Sequence, residues 1–162
     1  MKNQQDIMLK LSLDSWYSHI KRADDLLNTL SNEQLKNETA LGRNTGTYLL
    51  GHLVAVHDRM LPLLNIGERS HSDLDDAFIS NPDKSNKEMP SVEKLKSYWK
   101  DVNAKLATHF NNLSTDDWMQ KHTSVSHEDF AKEPHRNKLS VLISRTNHLA
   151  YHFGQLAYLK QK

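Results

Sequence analysis

Apolar residues recur at steps of three and four along four long stretches of the chain, which is the pattern of helices with one buried face. The first predicted helix runs from about Gln5 to Leu30, on the repeat Leu9, Leu13, Trp16, Ile20, Ala23, Leu27 and Leu30. The third predicted helix starts behind Pro90 with Ser91 as its N-cap. Its repeat is the cleanest in the chain: Val92, Leu95, Trp99, Val102, Leu106, Phe110 and Leu113.

The second and fourth stretches are more apolar. The second predicted helix spans about Thr47 to Leu64, with Thr45 or Thr47 as its N-cap. The fourth begins near Asn137 and runs to about Lys160, with a broad apolar face. Four amphipathic helices without a strand pattern predict an all-α fold, a four-helix bundle.

Two long polar segments separate these predicted helices. Residues Glu68 to Pro90 are rich in Ser, Asp, Asn and Lys, and they predict a long loop with room for one helical turn from Leu74 to Phe78. A capped short turn is predicted at Ser114 to Trp118, and a second polar loop from Lys121 to His135. Loops of such length are often functional or mobile.

Length and composition narrow the class of protein. The 162 residues suffice for one domain with a real core, so we expect a single domain over residues 1–162. The formal net charge of +1, with lysines spread along the chain, disfavours a nucleic-acid partner. The absence of cysteine excludes disulfides, Cys-ligated zinc and a thiol nucleophile. No signal-peptide core and no apolar run near the roughly 18 residues of a membrane span are present, so we expect a cytoplasmic protein without a membrane partner.

Two histidines on the fourth predicted helix form a candidate metal-binding pair. His148 and His152 stand four residues apart, which places them about 40° apart on one helix face. Their neighbours Leu149 and Phe153 are apolar, so this face borders the core. Such a pair can offer two imidazole nitrogens to one ion, as in the HExxH helix, although position 149 lacks the glutamate of that motif. On spacing alone, two separately satisfied histidines explain the pair equally well.

His52 changes that balance, because it lies in the most apolar part of the second predicted helix. A buried neutral imidazole needs hydrogen-bond partners or a metal ion. Three core-facing histidines on two helices favour a shared ion over three separate coincidences. His57 is five residues further on, about 140° away around the helix, and is therefore left out of the site. The other six histidines are predicted to be solvated surface residues: His19, His71, His109, His122, His127 and His135.

Three neutral imidazoles suit a divalent transition metal such as Zn²⁺, Ni²⁺, Fe²⁺ or Co²⁺, and they do not suit Mg²⁺ or Ca²⁺. Three protein ligands leave one coordination position open to water or substrate, which is typical of catalytic rather than closed structural sites.

Two motifs give nearly the whole chain a resemblance to a known family. One is Gly51-His52-Leu53, and the other is NHLAYHFGQLAYL, which begins at Asn147. They resemble the DinB-like superfamily (DinB/YfiT-type metalloenzymes), whose second helix commonly supplies one histidine followed by Leu. Its fourth helix commonly carries a pattern like nHxxHHxGQ before an aliphatic run. Tyr151 stands where many members have a further histidine, a position that is not usually a ligand.

The resemblance implies an up-down-down-up four-helix bundle, a metal site on His52, His148 and His152 that often holds nickel or zinc, and a homodimer. Characterised relatives include thiol S-transferases that use bacillithiol or mycothiol, and maleylpyruvate isomerase-like enzymes. We expect this chain to lack the extra C-terminal domain of some mycothiol-dependent relatives, which disfavours the isomerase activity.

Two functions therefore compete. The first is a metal-dependent enzyme acting on small molecules, by S-transfer with a low-molecular-weight thiol or by hydrolysis, because the ion can lower the pKa of a bound water or thiol or polarise an electrophile. The second is a non-catalytic metal-binding or stress-related bundle that its ion stabilises. A nucleic-acid role is disfavoured by the near-neutral charge and the lack of a basic stripe.

Two further side chains are open to either a chemical or a structural role. Gln155 lies seven residues after His148, about 20° from it around the helix. It either hydrogen-bonds a metal-bound species or caps a packing contact, and packing is favoured. Tyr48 lies one turn before His52 and either lines the pocket or packs in the core. Four other aromatic residues are assigned to bundle packing: Trp16, Tyr17, Tyr98 and Trp99.

Overall fold

The computed structural model describes residues 4–161, and this part of the chain is helical with no β-strand. Its helices, in chain order, are α1 (Gln4–Thr29), α2 (Asn32–Lys36), α3 (Gly46–Leu63), α4 (Val92–Phe110), α5 (Thr115–Met119), α6 (His127–Lys132) and α7 (Lys138–Ala157). A 3₁₀ turn (Ser72–Leu74) and a π-helical turn (Asp76–Ser80) lie between α3 and α4, and a second 3₁₀ turn (Tyr158–Gln161) follows α7. The predicted all-α fold is confirmed, and four helices are much longer than the others.

The structure contains short helices that the sequence pattern did not predict. The first long helix ends at Thr29, and Ser31 then forms a capping box that starts the unpredicted helix α2. Helix α6 lies within the segment predicted to be a polar loop, and the Ser126 hydroxyl caps it by accepting from the backbone N–H of Asp129. A five- or six-residue helix spans too few turns to show an apolar repeat, so its capping residues are its main sequence signal.

The four long helices run up, down, down, up. Helices α1 and α7 are parallel, because Met8 and Ile143 line one groove near their starts. Helix α3 runs the opposite way, since its first residue, Gly46, lies against the turn that follows α7. Helix α4 also runs down, because Lys96 near its start donates to the backbone carbonyl of Leu30, just beyond the end of α1. The middle of α3 therefore faces the second half of α7.

Large aromatic side chains fill the centre of the bundle. Trp16, Trp99 and Trp118 are almost completely buried, which confirms that Trp16 and Trp99 serve packing. The indole N–H of Trp99 donates to the Asp24 carboxylate at 2.7 Å, so its polar atom is satisfied. Among the described residues, no helix is both long and apolar enough to cross a membrane.

A buried carboxylate fixes the connection between α3 and α4 onto the bundle. Asp58 on α3 is fully buried and accepts hydrogen bonds from the backbone N–H groups of Ser70 and His71, at 2.8 and 3.0 Å. Arg69 donates to the same carboxylate from Nε at 3.0 Å, and to Asp75 from both terminal nitrogens. These bonds hold the π-helical turn against α3, in a segment that the sequence predicted to be mainly loop.

Candidate metal centre

The structure brings the three predicted histidines together between α3 and α7. The Nε2 atom of His148 lies 3.1 Å from Nε2 of His52 and 3.1 Å from Nε2 of His152. One ligand atom from each residue lies within 4.8 Å of the other two. All three side chains are half-buried, so the site is reached from solvent. His148 and His152 come from one turn of α7, because they are four residues apart. His52 comes from the middle of α3, which packs against that turn.

Hydrogen bonds at the far nitrogens fix the tautomers of two rings. Nδ1 of His52 lies 2.8 Å from the backbone carbonyl of Phe78, which can only accept, so this nitrogen carries the proton. Nδ1 of His152 lies 2.7 Å from the amide oxygen of Gln155 and is protonated for the same reason. The Nε2 atoms of His52 and His152 are therefore unprotonated, and their lone pairs face His148.

The third ring shows that this donor set fits an ion. A neutral His148 has one proton, so its Nε2 cannot donate fully to both facing lone pairs. Its Nδ1 is buried and has no hydrogen-bond partner in the described part of the chain. A tetrahedral ion with metal–nitrogen bonds of about 2.0–2.1 Å separates its ligands by about 3.3–3.4 Å, close to the observed spacing. Two of the three nitrogen–nitrogen distances thus match such an ion, and the third lies within 4.8 Å, so the three imidazoles fit one divalent transition metal.

A glycine allows the carbonyl of Phe78 to reach His52. A Cβ atom at Gly51 would lie 2.3 Å from the Phe78 ring, so only glycine permits this contact between α3 and the π-helical turn. The Phe78 ring is fully buried there, and the backbone carbonyl of Phe78 points at His52. The Gly51-His52 pair thus combines close packing with the orientation of a ligand ring.

Burial and positive charge keep the three rings neutral. Desolvation is the main cause that lowers the pKa of each, and for His148 the pKa falls to about 3. The charge of Arg145 on α7 lowers the pKa values of His52 and His148 further. Near pH 7 all three histidines are therefore in the neutral form that binds metal ions.

The two residues whose roles the sequence left open both contact the site. The side chain of Gln155 contacts a ring of the site, because its amide oxygen accepts a hydrogen bond from Nδ1 of His152. Tyr48 stacks on His52 with a centroid separation of 6.3 Å and an interplanar angle of 10°, while its hydroxyl donates to the Asn81 carbonyl. Gln155 orients a ring, and Tyr48 packs beside one.

His57 is outside the cluster, as its helical position predicted, but it is a fully buried polar residue. Its ring lies between those of Trp16 and Trp99, with centroids 4.9 Å from each. Nδ1 donates to the Asn103 side-chain oxygen at 2.8 Å, and Nε2 is buried without a partner among residues 4–161. Desolvation lowers the pKa of His57 to about 4.

The six histidines predicted to be surface residues divide into two groups. His127 and His135 are exposed, as expected. The other four are half-buried: His19, His71, His109 and His122. The prediction was wrong for His122, whose Nδ1 atom is buried without a partner in the described part of the chain, and for His71, whose ring stacks on that of Tyr98 with centroids 4.0 Å apart. Polar neighbours in the sequence misled the prediction, because tertiary contacts brought other elements over these rings.

Comparison with known proteins identifies the family to which the chain belongs. No curated protein matches the sequence. The family model described as the DinB superfamily matches residues 15–156, a span that contains all three clustered histidines, the first motif and the second motif as far as Leu156. This match covers most of the 162 residues and extends from the middle of α1 to the end of α7. The chain therefore belongs to the DinB superfamily.

Proposed function

We propose that this protein is a metal-dependent enzyme that acts on small molecules at an open site formed by His52, His148 and His152. The observation that carries the proposal is the convergence of three Nε2 atoms, two of which present lone pairs fixed by hydrogen bonds at Nδ1. Histidines that meet by accident would not be expected to have their Nδ1 atoms hydrogen-bonded so that their Nε2 lone pairs face one point. Membership of the DinB superfamily supports the same reading.

The number of ligands favours catalysis over a purely structural ion. Structural zinc sites are almost always closed by four protein ligands, whereas three leave a position for substrate. A divalent ion held there supplies Lewis acidity, which makes a water or thiol more acidic or polarises an electrophile. The chain's own residues supply orientation: the Phe78 carbonyl and the Gln155 amide hold two rings, and Tyr48 packs beside one of them.

The reaction class we propose is S-transfer from a low-molecular-weight thiol, with hydrolysis as the second possibility. The chain has no cysteine, so any reacting thiol comes from a second substrate. Zinc or nickel is the proposed ion, because both accept three imidazole ligands. The cytoplasmic location stays a prediction from the sequence.

We also propose that two copies form a homodimer through the outer face of α1 and α7. Met8, Leu11 and Ile143 are large apolar residues that are 57%, 61% and 43% exposed, and they line one groove between these helices. Leu11→Glu should give a monomer in light scattering after gel filtration. Leu41→Glu is the matched control, because Leu41 is 97% exposed on a loop elsewhere. A wild-type monomer, or equal dimer in both variants, would contradict this interface.

Metal analysis of tag-free protein tests the site. We expect about one ion per chain in the wild type and a large loss in His148→Ala, while His135→Ala, which removes an exposed histidine, keeps the ion. Equal metal in wild type and His148→Ala would exclude the proposed site.

Turnover must then be tested separately from metal binding. The assay is a panel of thiol-reactive electrophiles with bacillithiol or related thiols, followed by ester and amide hydrolysis. Activity that is lost in His148→Ala and retained in His135→Ala supports the enzyme. A fully loaded protein without activity across the panel favours the alternative, a non-catalytic metal-binding or stress-related bundle.

A further inference from the structure

Arg145 is a half-buried cation without a partner, one turn before His148 on α7. Its Nε atom is buried and makes no hydrogen bond, and no ion pair involves this guanidinium within residues 4–161. Arg69 shows the ordinary arrangement in the same protein, because it pairs with Asp58 and Asp75. Partial burial of an unpaired charge opposes folding, so something other than stability accounts for Arg145.

The surroundings of Arg145 add positive rather than negative charge. Burial lowers the pKa of Arg145, and the neighbouring charge of Arg59 lowers it further. Arg59 is itself paired with Asp75, at 2.8 Å. The site therefore lacks a carboxylate for Arg145 and has a positive potential that attracts anions.

A cleft of about 370 Å³ lies where Arg145 meets solvent. Its wall includes the hydroxyl groups of Ser124 and Ser144 and the ring of His122, and no acidic residue lines it. The Nδ1 atom of His122 is buried without a partner, like Nε of Arg145. Two residues that line the cleft thus each carry a buried nitrogen that makes no hydrogen bond within residues 4–161, and the cleft is large enough for a small organic molecule.

Arg145, which lines the cleft, lies on the same helix as two of the candidate metal ligands. Arg145 is about 60° from His148 and about 20° from His152 around α7, so all three lie on the face that meets α3. The charge of Arg145 also reaches two of the three rings, because it lowers the pKa values of His52 and His148.

We propose that this cleft binds a small oxyanion, the carboxylate or phosphate group of the substrate, on the guanidinium of Arg145. A guanidinium offers parallel N–H groups that match the two oxygens of such a group, and the Ser144 hydroxyl and the His122 ring supply further hydrogen bonds. The identification of this anion as part of the substrate rests on the proposed metal-dependent function. The anion site itself does not require the ion.

Titration calorimetry with inorganic phosphate and with succinate tests the site and distinguishes the two anions. Both are titrated into protein as purified and into protein freed of metal by a chelator that is then removed. We expect binding of at least one anion in both forms, and a loss of about ten- to a hundredfold in Arg145→Gln. Arg43→Gln is the matched control, because it removes the same charge from an exposed position and should leave affinity unchanged.

Two more variants guard against a misfolded protein as the explanation. Arg145→Lys keeps the charge but loses the fork of donors, so it should bind more weakly than wild type and more tightly than Arg145→Gln. His122→Leu should weaken binding severalfold. Circular dichroism confirms the helical content of each variant.

The outcomes separate this inference from the proposed function. No binding of either anion by the metal-free wild type, or equal affinity in wild type and Arg145→Gln, overturns the anion site, whatever the metal content. Normal anion binding in a wild-type protein that takes up no metal overturns the proposed enzyme and leaves the anion site in place.

Discussion

The amide oxygen of Gln155 accepts a hydrogen bond from Nδ1 of His152 at 2.7 Å, three residues away on the same helix. This bond sets the tautomer of His152 and turns its Nε2 lone pair toward His148. An outer hydrogen bond of this kind is a common support of metal-binding histidines. Two residues of the motif HFGQ therefore act together, one as a candidate ligand and one as the group that orients it.

Replacing Gln155 with leucine should weaken metal binding without removing a ligand. We expect a loss of about ten- to a hundredfold in affinity, because the ring of His152 loses its fixed tautomer and orientation. Competition with a chromophoric chelator measures this affinity. Gln120→Leu, at an exposed position outside the site, is the control and should bind metal like the wild type. Equal affinities in the two variants would show that Gln155 does not support the site.

Two glycine-to-alanine changes should have opposite effects. At Gly51 the new methyl group would collide with the buried Phe78 ring, so we expect a loss of about 1–3 kcal/mol in stability and weaker metal binding. At Gly154 no atom lies within 4 Å of the added Cβ, so the same change should stabilise the helix by about 0.5–1 kcal/mol. Urea denaturation of both variants measures the difference. Equal shifts would contradict the close contact at Gly51.

Two arginine-to-methionine changes should also differ in sign. Arg145→Met removes an unpaired, half-buried charge, and we expect the melting temperature to rise by a few degrees. Arg69→Met leaves the fully buried Asp58 carboxylate without its cationic partner, and we expect a loss of about 3–5 kcal/mol. Thermal and chemical denaturation measure these shifts. A destabilised Arg145→Met would assign that arginine a structural role.

The buried His57 should make stability depend on pH below neutrality. Its pKa is about 4 in the folded protein against an ordinary value of 6.5, so the unfolded chain binds a proton first as the pH falls. The full contribution is present above pH 6.5 and is lost as the pH drops toward 4. At about 1.4 kcal/mol per pKa unit the loss approaches about 3.5 kcal/mol.

Comparison with His57→Gln isolates this contribution from that of the other buried histidines. Around His57 lie Trp16, Trp99, Asn103 and the positive charge of Arg145, and none of these groups is acidic. We expect urea denaturation to show a shallower decline for the variant between pH 6.5 and 4. His135→Gln, at an exposed site, should follow the wild type. Parallel declines in all three proteins would show that His57 titrates normally.

Local pattern was enough to predict the long helices and the candidate ligands. The repeat from Val92 to Phe110 predicts α4 because burial of one helix face requires apolar residues at that spacing. The spacing of His148 and His152 places both on one face, since helix geometry alone fixes their angle. The exclusion of His57 follows from the same geometry. Chain direction was expected from the family resemblance rather than from these patterns.

The sequence by itself thus determined which residues share a helix face, because that relation depends only on the helical period. The tertiary structure decided what meets across helices. Nothing near His52 in the chain indicates that the Phe78 carbonyl, 26 residues away, accepts a hydrogen bond from its ring. Nothing near Arg145 indicates that it lacks a counter-ion, since a missing partner is a property of every element packed around it. Hydrogen bonds and charge pairs between distant segments depend on the packed arrangement, and this is why the outer hydrogen bonds and the anion cleft emerged only from the fold.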